Sequence, residues 1–244
     1  MVHAAKQEYI DRLIGECLSE DGDALEFNGR FIGDEGVEAL VHSDKLGQIE
    51  NLDLTKNSLT HKSAIYLAEC GKFKKLKRLY IGDNSISDQG AAAIAGADFA
   101  ENLAYLDLRF NSIDPTGGMA IARSEKFKRL QVLILQENQV DDDVIIALAK
   151  SPAFANLRKL NLYRTGLTLK GIKTLAKSKV LHQLKYLNIA RNYLYLDAAK
   201  ALAATKTLTN IETLLMYDTG IGDEGVKVIM QSPSFAKLKT FRVT

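Results

Sequence analysis

The sequence is poor in the residues that build disulfide frameworks. It has two cysteines, Cys17 and Cys70, in 244 residues. Two cysteines cannot form such a framework, and this low use of cysteine is typical of proteins from a reducing compartment. We therefore expect two free thiols and a cytoplasmic protein.

Long apolar runs are also missing. No run approaches the roughly 18 to 20 residues that a membrane-spanning helix needs. The N-terminus, MVHAAKQEYIDRLIGECLSE, lacks the basic start and apolar block of a secretory signal peptide. Its apolar residues Ile10, Leu13, Ile14, Cys17 and Leu18 have helical spacing instead, which predicts an amphipathic helix that packs on the domain.

The chain has no excess of charge of one sign. Its 32 basic and 30 acidic residues give a net charge of +2, so no long-range field favours nucleic acid or an anionic membrane as a partner. Two basic clusters, KFKKLKR (72–78) and KFKRL (126–130), flank core positions. Because Asp53, Asp83 and Asp107 dilute the field nearby, we interpret both clusters as a solvated rim.

Recognisable catalytic and metal-binding motifs are absent. The four histidines are scattered, and the sequence contains no phosphate-binding loop, zinc-ligand spacing or nucleophile elbow. The acidic stretch VDDDV (140–144) is interpreted as a turn and helix cap, because no histidine or further carboxylate accompanies it. We therefore predict no catalytic residue, no metal site and no cofactor.

What the chain does have is a segment of 27 residues that repeats without insertion or deletion. The blocks start at residues 22, 49, 76, 103, 130, 157, 184, 211 and 238, and the last block is incomplete. The third and fifth residues after each start are apolar in every block, as Leu106 and Leu108 show. This alternation predicts a short strand, and the second half of each block changes to the spacing of a helix.

An asparagine follows the strand pattern in five of the blocks. Its side chain can bond backbone groups at a tight turn, so we expect a ladder of bonds between stacked repeats, in which threonine can take part only incompletely. The asparagines are Asn57, Asn84, Asn111, Asn138 and Asn192, and Arg30, Thr165 and Thr219 replace them elsewhere.

The helical half of each block carries three further recurring features. Recurring glycines permit close approach of neighbouring backbones, recurring aspartates are expected to cap the helices in which they lie, and recurring phenylalanines are expected in the core. The residues are, respectively, Gly36, Gly90, Gly117, Gly171 and Gly225; Asp34, Asp88 and Asp223; and Phe73, Phe127, Phe154 and Phe235.

The pattern L-x-x-L-x-L-x-x-N-x-L followed by a helical half resembles the leucine-rich repeat. With 27 residues and a full helix per copy, it is most similar to the ribonuclease-inhibitor type, and IGDEGVEAL (32–40) is similar to repeats of bacterial proteins of this kind. The resemblance implies an α/β, right-handed solenoid, or horseshoe. Parallel strands stack about 4.8 Å apart and helices about 8 to 10 Å apart, which places strands on the concave face and helices on the convex face.

We assign residues 1–21 to an N-terminal capping helix and residues 22–244 to the repeat domain. The sequence ends directly after the ninth strand pattern, without a further helix. This leaves three alternatives: a chain trimmed from a longer one, an open edge short enough to be tolerated, or weak self-association through that strand.

The residues that the repeat leaves free define a candidate site on the concave face. Tyrosine and arginine are enriched at the centres of protein interfaces, and they recur at the positions that alternate with the core residues. The candidates are Tyr80, Tyr105, Asp107, Arg109, Phe110, Ile134, Gln136, Tyr163, Arg164, Tyr186, Arg191 and Tyr217.

We therefore predict a non-enzymatic module that binds a protein partner on its concave face. The alternative at the level of the residues is that tyrosines occupy strands by propensity and stack on each other without a partner. The resemblance implies two further alternatives. One is a regulator of catalysis similar to the Ran GTPase-activating protein, with Arg109, Arg164 or Arg191 as its active group, and the other is a secreted bacterial effector that binds a host protein.

Overall fold

The computed structural model describes residues 4–243, and within them it has one sheet of nine parallel strands in chain order, β1 to β9. Each strand pairs with the next in constant register, so that Leu79 lies beside Leu106 and Leu106 beside Leu133. The strands are β1 Ala24–Glu26, β2 Asn51–Asp53, β3 Arg78–Tyr80, β4 Tyr105–Asp107, β5 Val132–Ile134, β6 Lys159–Asn161, β7 Tyr186–Asn188, β8 Thr213–Leu215 and β9 Thr240–Arg242.

A helix precedes the first strand and a helix connects each strand to the next. Short 3₁₀ turns at 44–48, 98–102, 152–154, 181–183 and 233–235 lead from several helices into the following strand. The helices of residues 4–243 are α1 Ala4–Cys17, α2 Gly33–His42, α3 His61–Glu69, α4 Ser87–Gly96, α5 Pro115–Arg123, α6 Asp141–Leu148, α7 Leu169–Leu175, α8 Tyr195–Ala203 and α9 Gly222–Met230.

The core lies between the sheet and the row of helices. Leu106 and Leu108, the repeating pair of β4, are fully buried, and Phe127 and Phe154 pack at 6.0 Å between ring centroids in the loops that enter the strands. These positions confirm the predicted α/β leucine-rich repeat solenoid, in which the closer spacing of strands makes the strand face concave.

The asparagine ladder forms as the sequence predicts. The amide of Asn84 donates to the carbonyls of Leu54 (3.0 Å) and Ile81 (2.9 Å), and its oxygen accepts from the backbone N–H groups of Asn57 (2.9 Å) and Leu59 (3.0 Å). One side chain therefore joins two repeats and satisfies backbone groups that would otherwise be buried unpaired.

Threonine completes only part of this pattern. The Thr165 hydroxyl donates to the carbonyl of Leu162 at 3.0 Å. Within residues 4–243 it accepts no bond from a backbone N–H of the preceding repeat, and Thr219 likewise makes only the bond to the carbonyl of Met216. The ladder is therefore interrupted at the sixth and eighth strands.

The predicted role of the recurring aspartates is wrong in one respect. Asp88 lies inside the first turn of its own helix, α4, and its carboxylate accepts from the N–H groups of Asp114 (2.8 Å) and Gly117 (3.0 Å) at the start of α5. Asp34 similarly accepts from the Thr60 N–H (2.9 Å), before α3. These aspartates cap the helix of the next repeat, because the first turns of adjacent helices lie side by side.

The close approach expected at the recurring glycines is confirmed at Gly117. A Cβ there would lie 2.5 Å from the carboxylate of Asp88. The glycine therefore leaves room for the bond that joins the two helices.

A second ladder on the convex side was not predicted. Hydroxyl groups at the ends of helices donate to carbonyls one repeat earlier: Ser124 to Ala95 (2.7 Å), Ser178 to Ala149 (2.5 Å) and Thr205 to Ala176 (2.6 Å). The serines and threonines differ in type between blocks, which hides the recurrence.

At the N-terminal end, α1 packs on α2 through Ile10, Leu13 and Ile14, which are all buried. Cys17 and Cys70 are free, half-buried thiols, and burial raises the pKa of the Cys70 thiol. The call that residues 1–3 belong to the same helix lies outside the described residues.

None of the helices between residues 4 and 243 is both long and apolar enough to cross a bilayer.

Candidate functional site

The candidate residues fall into two groups on the concave face, with β5 between them. The first group, here the N-terminal cluster, extends from β3 to the turn after β4 and contains Tyr80, Tyr105, Asp107, Arg109 and Phe110. The second group, the C-terminal cluster, extends from β6 to the turn after β8 and contains Tyr163, Arg164, Tyr186, Arg191 and Tyr217. The remaining two, Ile134 and Gln136, lie on and after β5.

Two stacked tyrosines form the centre of the N-terminal cluster. The ring centroids of Tyr80 and Tyr105 lie 4.6 Å apart with 36° between the ring planes. Partial burial, followed by the charge of Asp107, raises the pKa of Tyr105 to about 12. Both phenols are therefore protonated at neutral pH and offer an O–H donor at the edge of an apolar stack.

Arg109 is held beside this stack by two carboxylates. Its Nε lies 3.3 Å from Asp83 Oδ2, and its Nη1 lies 3.5 Å from Asp107 Oδ2. The stem of the side chain crosses Gly82, where a Cβ would lie 2.8 Å from the Arg109 Cγ. The guanidinium is thus fixed before any ligand arrives, which lowers the entropy that binding must cost.

The C-terminal cluster combines aromatic rings with cations. The rings of Tyr163 and Tyr217 lie 6.0 Å apart, although two strand spacings separate their backbones, because the residue between them is the small, buried Ala190. The guanidinium of Arg191 lies 5.7 Å from the Tyr163 centroid, and Arg191 Nε donates to Asp218 Oδ2 at 3.1 Å. Cation–π contacts of this kind add to the stacking of the rings.

Tyr186 and Arg164 flank this centre. The ammonium of Lys159 lies 4.6 Å from the Tyr186 ring centroid, and burial raises the pKa of the Tyr186 phenol. Arg164 is exposed and pairs with Glu137, with 3.1 Å between Nη1 and Oε2. The cluster therefore presents half-buried rings surrounded by positive charge.

Phe110, Arg164 and Arg191 share an unusual backbone conformation. Their φ angles are 50°, 49° and 53°, in the left-handed region that glycine or asparagine usually occupies. The same conformation recurs directly after each strand from β2 to β8. It turns these side chains toward the rim of the sheet, where the Phe110 ring is 42% exposed.

Two candidates are not on the wet side as predicted. Asp107 is 1% exposed and Ile134 is 5% exposed. Both lie in the central column of the concave face, where curvature draws neighbouring side chains together and the larger rings on either side cover them. Asp107 therefore shapes the site through Arg109, and Ile134 forms a buried apolar floor between the clusters.

Gln136 is half-buried beside that floor. Its side-chain oxygen accepts from the amide of Asn161 at 3.0 Å. The bond ties β5 to β6 and holds the side chain between the two clusters.

The carboxylates that hold the arginines were missed by reasoning from the sequence. Asp83, Glu137 and Asp218 all lie at the position directly after Gly82, Gln136 and Tyr217, in the left-handed column. The signal was available, because Glu137 and Arg164 are 27 residues apart, as are Arg191 and Asp218. Opposite charges one repeat apart lie side by side in a solenoid.

Within residues 4–243, no three histidine, cysteine, aspartate or glutamate side chains are grouped so that they could hold a metal ion. The side chains of the candidate site are those that bind by stacking, by cation–π contact and by hydrogen bonding.

Comparison with known proteins agrees with the fold. The family model described as Leucine Rich repeat matches residues 74–95 and 100–122. No curated protein matches the sequence. Among solved structures, the chain is similar to one in the complex of Rad7 and Elc1 from yeast, with 13% identity and a TM-score of 0.46 over 97% of this chain and 75% of that one. It is also similar to an internalin (InlF) from Listeria monocytogenes, with 18% identity and a TM-score of 0.31 over 98% of this chain and 84% of that one.

Proposed function

We propose that this chain is a non-enzymatic module that binds a protein partner on its concave face. The observation that carries the proposal is the C-terminal cluster, in which Tyr163, Tyr186, Tyr217 and Arg191 are held in fixed contacts while their rings stay accessible. Rigid aromatic and arginine side chains contribute most of the binding energy in protein interfaces.

The rigidity of the scaffold supports the same proposal. Each residue of the face is one or two positions from a buried core residue, and the asparagine ladder fixes the turn that follows most strands. A preorganised surface loses little entropy on binding. The two clusters and the apolar floor at Ile134 together offer a continuous face across six strands, β3 to β8.

The enzyme-regulating alternative is less favoured by the geometry. A GTPase-activating arginine must reach into a partner's active site, but Arg109, Arg164 and Arg191 each pair with a carboxylate of an adjacent repeat. Arg109 is also half-buried. Release of each guanidinium would cost the ion pair before any contact with a partner formed.

The finer assignments rest on the sequence pattern. The full helix in each repeat of 27 residues supports the ribonuclease-inhibitor type, and the two free thiols support a cytoplasmic location. A bacterial origin and export as an effector remain alternatives from the resemblance. Self-association through β9 is a further alternative, because the sheet of the described residues ends at that strand.

A comparison of three proteins tests the proposal. Wild type, the double variant Tyr163→Ala with Arg164→Ala, and a convex-side control, Lys173→Ala, are immobilised and incubated with cell lysate. Bound proteins are quantified by mass spectrometry. We expect a partner retained by wild type and control to be depleted more than tenfold by the double variant, since interface centres of this composition cost 2 kcal/mol or more when truncated, by about this measure.

Equal retention by all three proteins would contradict the placement of the site on this face. Circular dichroism and a urea-unfolding curve of each variant show whether it is folded. The stacked-tyrosine alternative makes the opposite prediction, in which the double variant loses stability and retains every partner.

A further inference from the structure

A groove of about 640 Å³ lies at the edge where the chain enters the strands, away from the turns that carry Phe110, Arg164 and Arg191. It crosses the segments that precede β3, β4, β5 and β6. Its lining contains five cations and one carboxylate. The lining residues are Glu50, Lys74, Lys75, Lys77, Asn102, Ala104, Arg129, Gln131, Asn156 and Arg158.

The acidic residues expected to dilute the basic clusters do not reach this groove. None of Asp53, Asp83 and Asp107 is among its lining residues. Asp53 and Asp107 lie on the concave face of the sheet, and Asp83 pairs with Arg109 in a turn that leaves a strand. The interpretation of the basic clusters as a diluted, solvated rim therefore lacks its physical basis.

The same edge is neutralised on both sides of the groove but not within it. Glu50 pairs with Lys77 at 2.6 Å, and Glu212 lies between Lys185 (3.0 Å) and Lys239 (2.6 Å) at the other end. Bonds from Lys239 and Lys185 hold the pKa of Glu212 at about 2. In the blocks between, the equivalent positions carry no carboxylate: they are Ala104, Gln131 and Arg158.

Two of the cations are held in position without loss of charge. Lys75 donates to the side-chain oxygen of Gln48 at 2.6 Å, and Arg129 donates to that of Asn102 at 3.3 Å. A neutral amide oxygen fixes the side chain but does not cancel its charge. Lys74 and Arg158 have no carboxylate within ion-pair distance anywhere in residues 4–243.

The chemistry of the lining favours carboxylates as the ligand. Arginine donates to a carboxylate through two parallel bonds, and the amides of Gln131 and Asn156 can add further bonds. Proteins that bind single-stranded nucleic acid need aromatic side chains on which bases stack, and the ten lining residues include none. A phosphate backbone would find charge in this groove but no platform for its bases.

The length of the groove sets the length of the ligand. The cations span the rows of β3 to β6, which is three strand spacings or about 14 Å. An extended peptide advances about 3.3 Å per residue. Four to six consecutive residues therefore cover the row of cations.

We propose that this groove binds an extended, acidic segment of a protein, a run of about five aspartate or glutamate residues. It is a second binding surface, which differs from the concave face both in its edge of the sheet and in its chemistry. A partner that covers the concave face can carry such a segment beside its main contact, and the groove then adds selectivity by charge.

The test uses a fluorescein-labelled hexaglutamate peptide and, for comparison, a labelled hexathymidine oligonucleotide, in fluorescence-anisotropy titrations of the full chain in 50 mM salt. The groove variant is Lys74→Ala with Arg158→Ala, which removes two cations and disturbs no ion pair. The matched control is Lys173→Ala with Lys177→Ala, which removes the same charge from a lysine-rich cleft on the convex side.

We expect the peptide to bind wild type more tightly than the oligonucleotide does. The groove variant should weaken binding of the peptide about tenfold, and the control less than twofold. Absence of binding of the peptide to wild type, equal weakening by both variants, or tighter binding of the oligonucleotide would each overturn the proposal. Because the concave face is intact in both variants, failure here is separate from failure of the concave-face proposal.

Discussion

At the scale of single residues, Asp107 shows how environment changes the role of a side chain. It accepts from its own turn, with 3.0 Å between Arg109 N and Oδ1, as Asn161 and Asn188 do from theirs at 3.1 Å. Burial raises the pKa of its carboxyl, with a further rise from Asp83, although the bonds from Arg109 oppose this. The ionised form is therefore disfavoured in the folded chain.

This leads to a prediction for Asp107→Asn. A carboxyl whose folded pKa is raised stabilises the fold below its unfolded pKa of about 3.9, and this contribution is lost as pH rises through the folded pKa. The variant keeps the turn bond and does not titrate. We expect its free energy of unfolding, relative to wild type, to increase as pH rises from 3.5 to 7.5.

Urea-unfolding midpoints of both proteins across that range measure the difference. The direction of the change is the result that matters, because loss of the contact between Asp107 and Arg109 shifts the variant by a constant amount at pH values where Asp107 is ionised. Parallel profiles, or a relative decrease with rising pH, would show that Asp107 is not disfavoured as an ion.

How far the sequence predicts the site depends on which neighbours a residue acquires. The alternation of core and free residues correctly predicts that Tyr80 and Tyr163 are outside the core. It fails for Asp107 and Ile134, because alternation gives the face on which a residue lies but not the size of the rings beside it. Burial of these two depends on side chains 25 to 29 residues away in sequence, such as Tyr80 and Tyr163.

At the scale of elements, helix capping between repeats is the feature that a single block cannot reveal. The block 76–102 places Asp88 at the start of a helix, which favours a cap for that helix. In the solenoid the aspartate instead reaches the first N–H groups of α5. The periodic pattern predicts both elements and their order, but the partner of a polar side chain depends on the lateral offset between helices.

We predict that Asp88→Ala lowers the free energy of unfolding by about 1 kcal/mol, the usual cost of losing a helix cap. The matched control is Asp223→Ala, at the same position of α9, where the described residues contain no following helix to cap. We expect that control to change stability by less than about 0.5 kcal/mol.

Urea denaturation followed by circular dichroism compares the two variants under identical conditions. Both aspartates lie in the first turn of their own helix, so any effect through the helix dipole is shared. An equal loss in both variants would mean that the aspartates act on their own helices and that the bond between repeats contributes nothing measurable.

At the scale of the whole molecule, stability is approximately a sum of terms for repeats and for the interfaces between them. The asparagine ladder strengthens the interfaces unequally. Asn138 accepts from the N–H groups of Asn111 (3.1 Å) and Ile113 (3.0 Å), whereas Thr165 accepts from no N–H of the preceding repeat within residues 4–243. The interface between the fifth and sixth repeats is therefore a weak point near the middle of the solenoid.

A single substitution should repair this interface. Thr165 and Asn111 occupy equivalent turns, with left-handed residues on both sides: 164 and 166 around Thr165, and 110 and 112 around Asn111. Thr165→Asn therefore fits without a change of backbone, and it supplies an oxygen to the N–H groups one repeat earlier. At about 0.5–1.5 kcal/mol for each bond gained, we expect the chain to become more stable by about 1 kcal/mol.

Native-state hydrogen exchange locates the effect, since it reports the opening of parts of a structure separately. In wild type we expect the amide of Asn138 to exchange faster than that of Asn111, and Thr165→Asn should remove the difference. The control Thr165→Val deletes the bond to Leu162 and should be less stable than wild type. A gain of stability spread evenly over all repeats, or no gain, would mean that the weak point does not lie at this interface. Because neighbouring repeats bury each other's core, strengthening it should couple the N-terminal cluster to the C-terminal cluster and make the concave face open as one unit.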